Sequence, residues 1–316
     1  MAYQNVGTPR FFINVLEWLA SNDAIVLSTD RFRTLPVSVE DDTGYWAYGS
    51  TSPANIFSGQ SFFAILGITV VDETRIIPTY TLNGVTHWLG QNYNTVLTVN
   101  CDYSTGTWTP ATSGFAIGSL NGGGEYGIGM RIDESSSFGS IVLGTYYDMP
   151  HSPDLSLTMT REYGGVKTIE TKGGSTLSNA FYTKPPMWGG LAAWELEAGG
   201  TQQLAKSGRR VWDLSFSYLQ DSDVFPTTSS LTRTGEDGYT FDDDTHLDNT
   251  LLYHDNFYSQ VIHRTNGGQL PFIFQPDNSN SKPDQFAICK LDMKSFKFEQ
   301  VANSVYNVKL KIREVW

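Results

Sequence analysis

At 316 residues the chain is long enough for two domains of ordinary size, each able to bury a core without metals or disulfides. Charged residues make up 17%, aromatics 13%, and the formal charge is −12; this argues against a nucleic-acid groove, which gathers Lys and Arg to release counterions from phosphate. No run of about 18 apolar residues predicts a membrane-spanning helix, and Cys101 and Cys289 are too few for a disulfide framework or a four-ligand zinc site, so they read as buried thiols.

In chain order, the first predicted element is a helix. Thr8 can cap it, Pro9 suits its first position, and Phe11, Phe12, Val15, Leu16, Trp18 and Leu19 recur at three- and four-residue spacing until Ser21-Asn22. A stripe this wide must dock on its own domain or on a neighbouring subunit, which makes Phe12 and Trp18 candidate interface residues. Glu17 interrupts the apolar run and no basic segment precedes it, so a secretory signal is not expected.

Short strands follow at Ala24–Leu27, Ser61–Leu66, Ile68–Val71, Val96–Val99 and Gly139–Leu143, separated by turn clusters such as Asn83-Gly84. Abundant Gly, Ser, Thr and Asn between apolar runs predict a mostly β protein. The loops carry Tyr45, Trp46, Tyr48 and Trp88, which either stack on sugars or pack loop against loop. These segments, with the first helix, form a predicted β-sandwich or jelly-roll-like domain over 1–150.

A connector with Pro150 and Pro153 leads to a second predicted sandwich over 151–316. Leu155, Leu157 and Met159 alternate with polar residues, and Gly164-Gly165 and Gly173-Gly174 mark tight reversals. Pro185, Pro186, Met187 and Trp188 sit in an irregular stretch read as an exposed loop, a candidate interface. Behind Arg209-Arg210, Trp212, Leu214, Phe216 and Tyr218 alternate with Asp213, Ser215 and Ser217, the period of a half-buried strand. A helix is predicted from the Asp242-Asp243-Asp244 run through Leu247, Leu251, Tyr258 and Ile262 to Gly267. Strands at Pro271–Phe274 and Phe286–Cys289 come next, and Tyr306, Val308, Leu310 and Ile312 form the buried parity of a closing strand.

Motifs that carry chemistry are weak. Gly122-x-Gly124-x-x-Gly127 matches a dinucleotide fingerprint in letters only, because an alternating strand follows it where a helix is needed. The Asp242–Asp244 run with His246 and Asp248 lacks the glycine and distal glutamate of an EF-hand loop. No Gly-x-Ser-x-Gly elbow is present. No enzyme activity, metal or cofactor is expected.

The order Ser207-Gly208-Arg209-Arg210-Val211-Trp212-Asp213-Leu214, an amphipathic helix, Gly267-Gly268-Gln269-Leu270-Pro271-Phe272-Ile273-Phe274, and a closing strand ending Arg313-Glu314-Val315 resembles bacteriophage tail proteins of the tail-tube and distal-tail (baseplate hub) group. The resemblance covers the last third of the chain. It implies that these segments share one β-sandwich that assembles into rings. Arg209 and Arg210 are further candidate interface residues. Upstream, Phe62–Gly67 and Ser140–Gly144 resemble the jelly-roll, galactose-binding-like domain that precedes such modules. The function expected is that of a virion structural protein, an accessory or distal tail component that contacts itself and other virion proteins. The alternative is a host-adhesion protein whose first domain binds surface glycans through Tyr45, Trp46, Tyr48 and Trp88.

Overall fold

A computed structural model describes residues 7–22, 37–38, 45–49, 60–68, 70, 75–82, 85–88, 97–104, 107–111, 113–120, 127–133, 137–138, 140–162, 166–180, 187–188, 191–192, 208–226, 255–282 and 285–315. The chain opens with β1 (Arg10–Asn14) and α1 (Val15–Ser21). Then come β2 (Val37–Ser38), β3 (Tyr45–Gly49), β4 (Ser61–Ile68), β5 (Arg75–Leu82), β6 (Val85–Trp88), β7 (Thr98–Val99), β8 (Cys101–Ser104) and β9 (Thr107–Pro110). β10 (Gly114–Leu120), β11 (Gly127–Asp133), β12 (Ser137–Phe138) and β13 (Ser140–Asp148) complete the first half. The second half holds β14 (Thr158–Glu162), β15 (Val166–Glu170), β16 (Thr176–Ala180), β17 (Met187–Trp188), β18 (Leu191–Ala192), β19 (Arg209–Gln220) and a short α2 (Asp221–Val224). β20 (Phe272–Gln275), β21 (Ala287–Leu291), β22 (Phe298–Ala302) and β23 (Val305–Glu314) close it. The fold is mostly β and sandwich-like, as the composition implies.

An 11-stranded sheet runs β14-β19-β23-β21-β20-β1-β13-β4-β10-β7, with β22 also on β23. A 6-stranded sheet runs β3-β11-β5-β9-β8, with β6 on β5. Their pairings are antiparallel, so side chains alternate between two faces along every strand. On β4, Phe63 and Ile65 join α1 and the second sheet's Ile76 and Trp108 in one core. Phe62, Ala64 and Leu66 enter another core on the opposite face, with Phe12, Ile273 and Ile288. A third core gathers Phe11, Ile13, Trp212, Phe216, Phe272 and Phe274.

β1 is central to this arrangement. It pairs with β13 along one edge and with β20 along the other, so one strand ties residues on both sides of position 150 into a single sheet. Gly144 permits the approach, because a Cβ there would meet the Ile13 carbonyl.

β1 also corrects the helix expected to start near Thr8 and Pro9. Phe11, Phe12 and Ile13 are buried on alternating faces of a strand, and the helix begins only at Val15. Asn14 caps it, its Oδ1 accepting from the Glu17 N–H at 3.2 Å. Asn22 ends it, with its side-chain Nδ2 donating to the Trp18 carbonyl at 2.7 Å. Ile68 closes β4, where a separate strand over Ile68–Val71 was expected. Of the helix expected from Asp242 to Gly267, the first part lies outside the described residues. The remainder is a π-helical turn, Tyr258–Ile262, followed by a 3-10 turn, His263–Thr265. Asn266 (φ 50°) leaves that turn in the left-handed conformation, with Gly267 (φ 70°) behind it.

Candidate functional site

Of the segments that carry the resemblance, β19 lies next to β23, and β20 belongs to the same sheet with β21 between it and β23. Arg210 ties β19 to β23 and to the residue that precedes β21. Its backbone N–H, Nε and Nη2 donate to the Glu314 carboxylate at 2.8, 3.2 and 3.1 Å, and Nη2 also donates to the Phe286 carbonyl at 2.6 Å. Both side chains are buried, and the guanidinium stacks over Trp212, 5.3 Å from its centroid. Arg210 was an expected interface residue, but its hydrogen-bonding capacity is directed inside the sheet. Arg209, opposite Glu162 on β14, remains half-buried.

A second polar group crosses the β1–β13 pair. Arg10 donates from Nε and Nη2 to the two oxygens of Asp148 at 2.6 and 2.8 Å, and its guanidinium lies 4.4 Å from the Tyr146 centroid. Beside it, Arg264 donates from Nη1 to Thr145 Oγ1 at 2.6 Å. Burial and the charge of Asp148 raise the Asp255 carboxyl above its ordinary range, with Arg264 opposing. His263 stands edge-on to Trp18, 5.4 Å between centroids. Burial, reinforced by Arg264, holds its imidazole below the usual range.

Burial pushes the Cys101 thiol up to about 12 and the Cys289 thiol well above its ordinary value, so neither is a thiolate at neutral pH. Among the described residues no three His, Cys, Asp or Glu side chains converge as a metal-binding group. No described helix is long and apolar enough to cross a membrane.

The other expected site residues separate. Phe12 packs against Phe62, Tyr146 and Phe286 and is fully buried, and Trp18 belongs to the core around α1, so their apolar surface is covered inside the chain. Pro185 and Pro186 lie outside the described residues. Met187 and Trp188 form β17, paired with β18, where an irregular loop was expected. Tyr45, Trp46 and Tyr48 lie on β3 and Trp88 on β6 of the second sheet. Register places Ala47, Gly129, Thr79 and Trp88 in one cross-strand row.

Two exposed features escaped the sequence reading. β15 and β16 form a hairpin that pairs with no other described strand, turned at Thr171–Ser175 where Gly174 (φ 77°) takes the left-handed conformation. All five residues of β15 are exposed, including Val166 at 64% and Ile169 at 55%, and Leu177, directly opposite Ile169, is 61% exposed. Tyr218, expected on the buried parity of its strand, is instead 75% exposed. The Gly173-Gly174 pair marked the turn of the hairpin, but nothing in a five-residue run separates a projecting arm from an ordinary edge strand.

No protein-family model, no curated protein and no solved structure matches this chain.

Proposed function

We propose that this chain is a virion structural protein of a bacteriophage, an accessory or distal tail (baseplate) component that acts by self-assembly and contacts with other virion proteins. The observation that carries this reading is the β15–β16 hairpin. A two-stranded ribbon is marginally stable alone in water. This one sets Ile169 and Leu177 on one face and Val166 on the other, all exposed. Apolar surface on both sides of a projecting ribbon is satisfied when the ribbon inserts between other chains. The resemblance of the last third to tail-tube and distal-tail proteins supports the same reading: its Arg-flanked and closing segments pair directly as β19 and β23, and its Gly-Gly segment leads into β20 of the same sheet. Assembly takes place in the host cytoplasm, and the product resides in the virion.

Light scattering and negative-stain microscopy of the purified chain test this, together with protein analysis of purified particles. Assemblies of several copies, or the chain within particles, are expected. A strict monomer at high concentration that is also absent from particles contradicts the proposal.

A further inference from the structure

The turn of the β15–β16 hairpin fixes which of its backbone groups face outward. The Thr171 N–H donates to the Ser175 carbonyl at 2.9 Å, and the Gly174 N–H donates to the Thr171 carbonyl at 2.9 Å. Bonded pairs alternate along an antiparallel ladder, so Ile169 and Leu177, two residues further on, also turn their backbone groups toward each other. Val166, Thr168 and Glu170 therefore point their N–H and C=O groups away from β16, along an edge that pairs with no described strand. Thr176 and Ser178 do the same along the free edge of β16.

Sheet edges in water are ordinarily blunted by a proline, a bulge or a covering element. Among the described residues β15 has none of these: its register with β16 runs unbroken from Val166 to Glu170, and all five residues are exposed. Val166, Thr168 and Ile169 are β-branched and favour a strand, whereas β16 offers Leu177, Ser178, Asn179 and Ala180, which favour it less. Lys167 and Glu170 cancel, so two copies of β15 bring no net charge together.

We infer that β15 pairs antiparallel with β15 of a second copy of this chain across a two-fold axis, Ile169 lying opposite the partner's Ile169. The outward groups of Thr168 then meet those of the partner's Glu170, and the reverse. On one face Leu177, Ile169, the partner's Ile169 and the partner's Leu177 form an apolar row across four strands. Centring the axis on Thr168 instead sets Ile169 opposite the partner's Lys167 and breaks the row. The chosen register also holds the two Lys167 positions roughly 13 Å apart along the strands. A second copy is the occupant because the row is its own complement, and because a marginal two-stranded ribbon becomes four strands with an apolar stripe. A five-residue edge contact lies below the ~1,200 Å² of stable complexes, so the pair is weak in the isolated chain and is reinforced where contacts repeat in an assembly. The inference rests on the self-assembly reading and names the strand and register used.

Cysteine cross-linking of the full chain is the test, because Cys101 and Cys289 are buried and do not compete. Opposed residues of a non-hydrogen-bonded pair have Cα atoms about 4.5 Å apart, within the span of a disulfide. Under mild oxidation Ile169→Cys is expected to give a disulfide-linked dimer about tenfold faster than Leu177→Cys, or than Lys172→Cys at the exposed tip of the turn. Thr168→Pro removes an outward N–H and spares the hairpin's own ladder. It is expected to weaken association about tenfold in sedimentation equilibrium, with an unchanged melting temperature. Ile169→Cys that links no faster than Lys172→Cys overturns this inference, as does Thr168→Pro that associates like the wild type; self-assembly then stands through another surface. Faster linking at Leu177→Cys places the contact on β16 and also overturns it. A wild type that stays monomeric and is missing from particles removes the self-assembly reading as well.

Discussion

Glu314 on β23 and Arg210 on β19 face each other across antiparallel strands, and the carboxylate accepts the arginine's backbone N–H at 2.8 Å as well as its guanidinium. With Glu314 3% exposed, the carboxylate depends on this partner. Replacing Arg210 with alanine strands a buried charge and is expected to cost about 3–5 kcal/mol. Arg210→Met with Glu314→Leu removes both charges and is expected to recover most of that loss. Denaturant titration of the single and double variants checks the pair.

The two cysteines give a simple accessibility test. Cys101 Sγ donates to the Ile117 carbonyl at 3.2 Å, and both thiols are buried and held protonated. In the native protein neither is expected to react with an aromatic disulfide reagent at pH 8. Both react once the chain is unfolded. Rapid native labelling of either would show that the cores around α1 or β21 open readily.

His263 gives stability a dependence on pH with a definite sign. Its folded pKa lies below the ordinary 6.5, so the unfolded chain takes up a proton first as pH falls. Its contribution is fully present above 6.5 and is lost as pH drops toward the folded value. His263→Gln is expected to flatten that part of the stability profile while leaving the alkaline side unchanged. Thermal unfolding from pH 8 to pH 5 measures the difference.

The strands that read most clearly in the sequence have one wet and one buried face. β23 alternates Val308, Leu310 and Ile312 with Lys309, Lys311 and Arg313, and β19 alternates Trp212, Leu214 and Phe216 with Asp213, Ser215 and Ser217. β1 was misread for the opposite reason. Flanked by β13 and β20 and buried on both faces, Arg-Phe-Phe-Ile-Asn has no alternation, and an unbroken apolar run beside Val15 and Leu16 passes for one turn of a wide helical stripe. Tyr218 was assigned to the buried parity because a bulge shifts the register by one residue, and no local signal announces it. The interface residues were chosen for size and apolarity. In Phe12 and Trp18 those same properties secure the core.

Amide hydrogen exchange at β15 and β16, compared between the isolated chain and the assembled state, tests the assembly role of the hairpin most directly. Fast exchange in the isolated chain is predicted, because β15 is exposed along its whole length and Leu177 opposite it is exposed as well. In the assembly, Val166–Glu170 and Thr176–Ala180 are predicted to become strongly protected as neighbouring chains cover Ile169 and Leu177. Equally fast exchange in both states would contradict it.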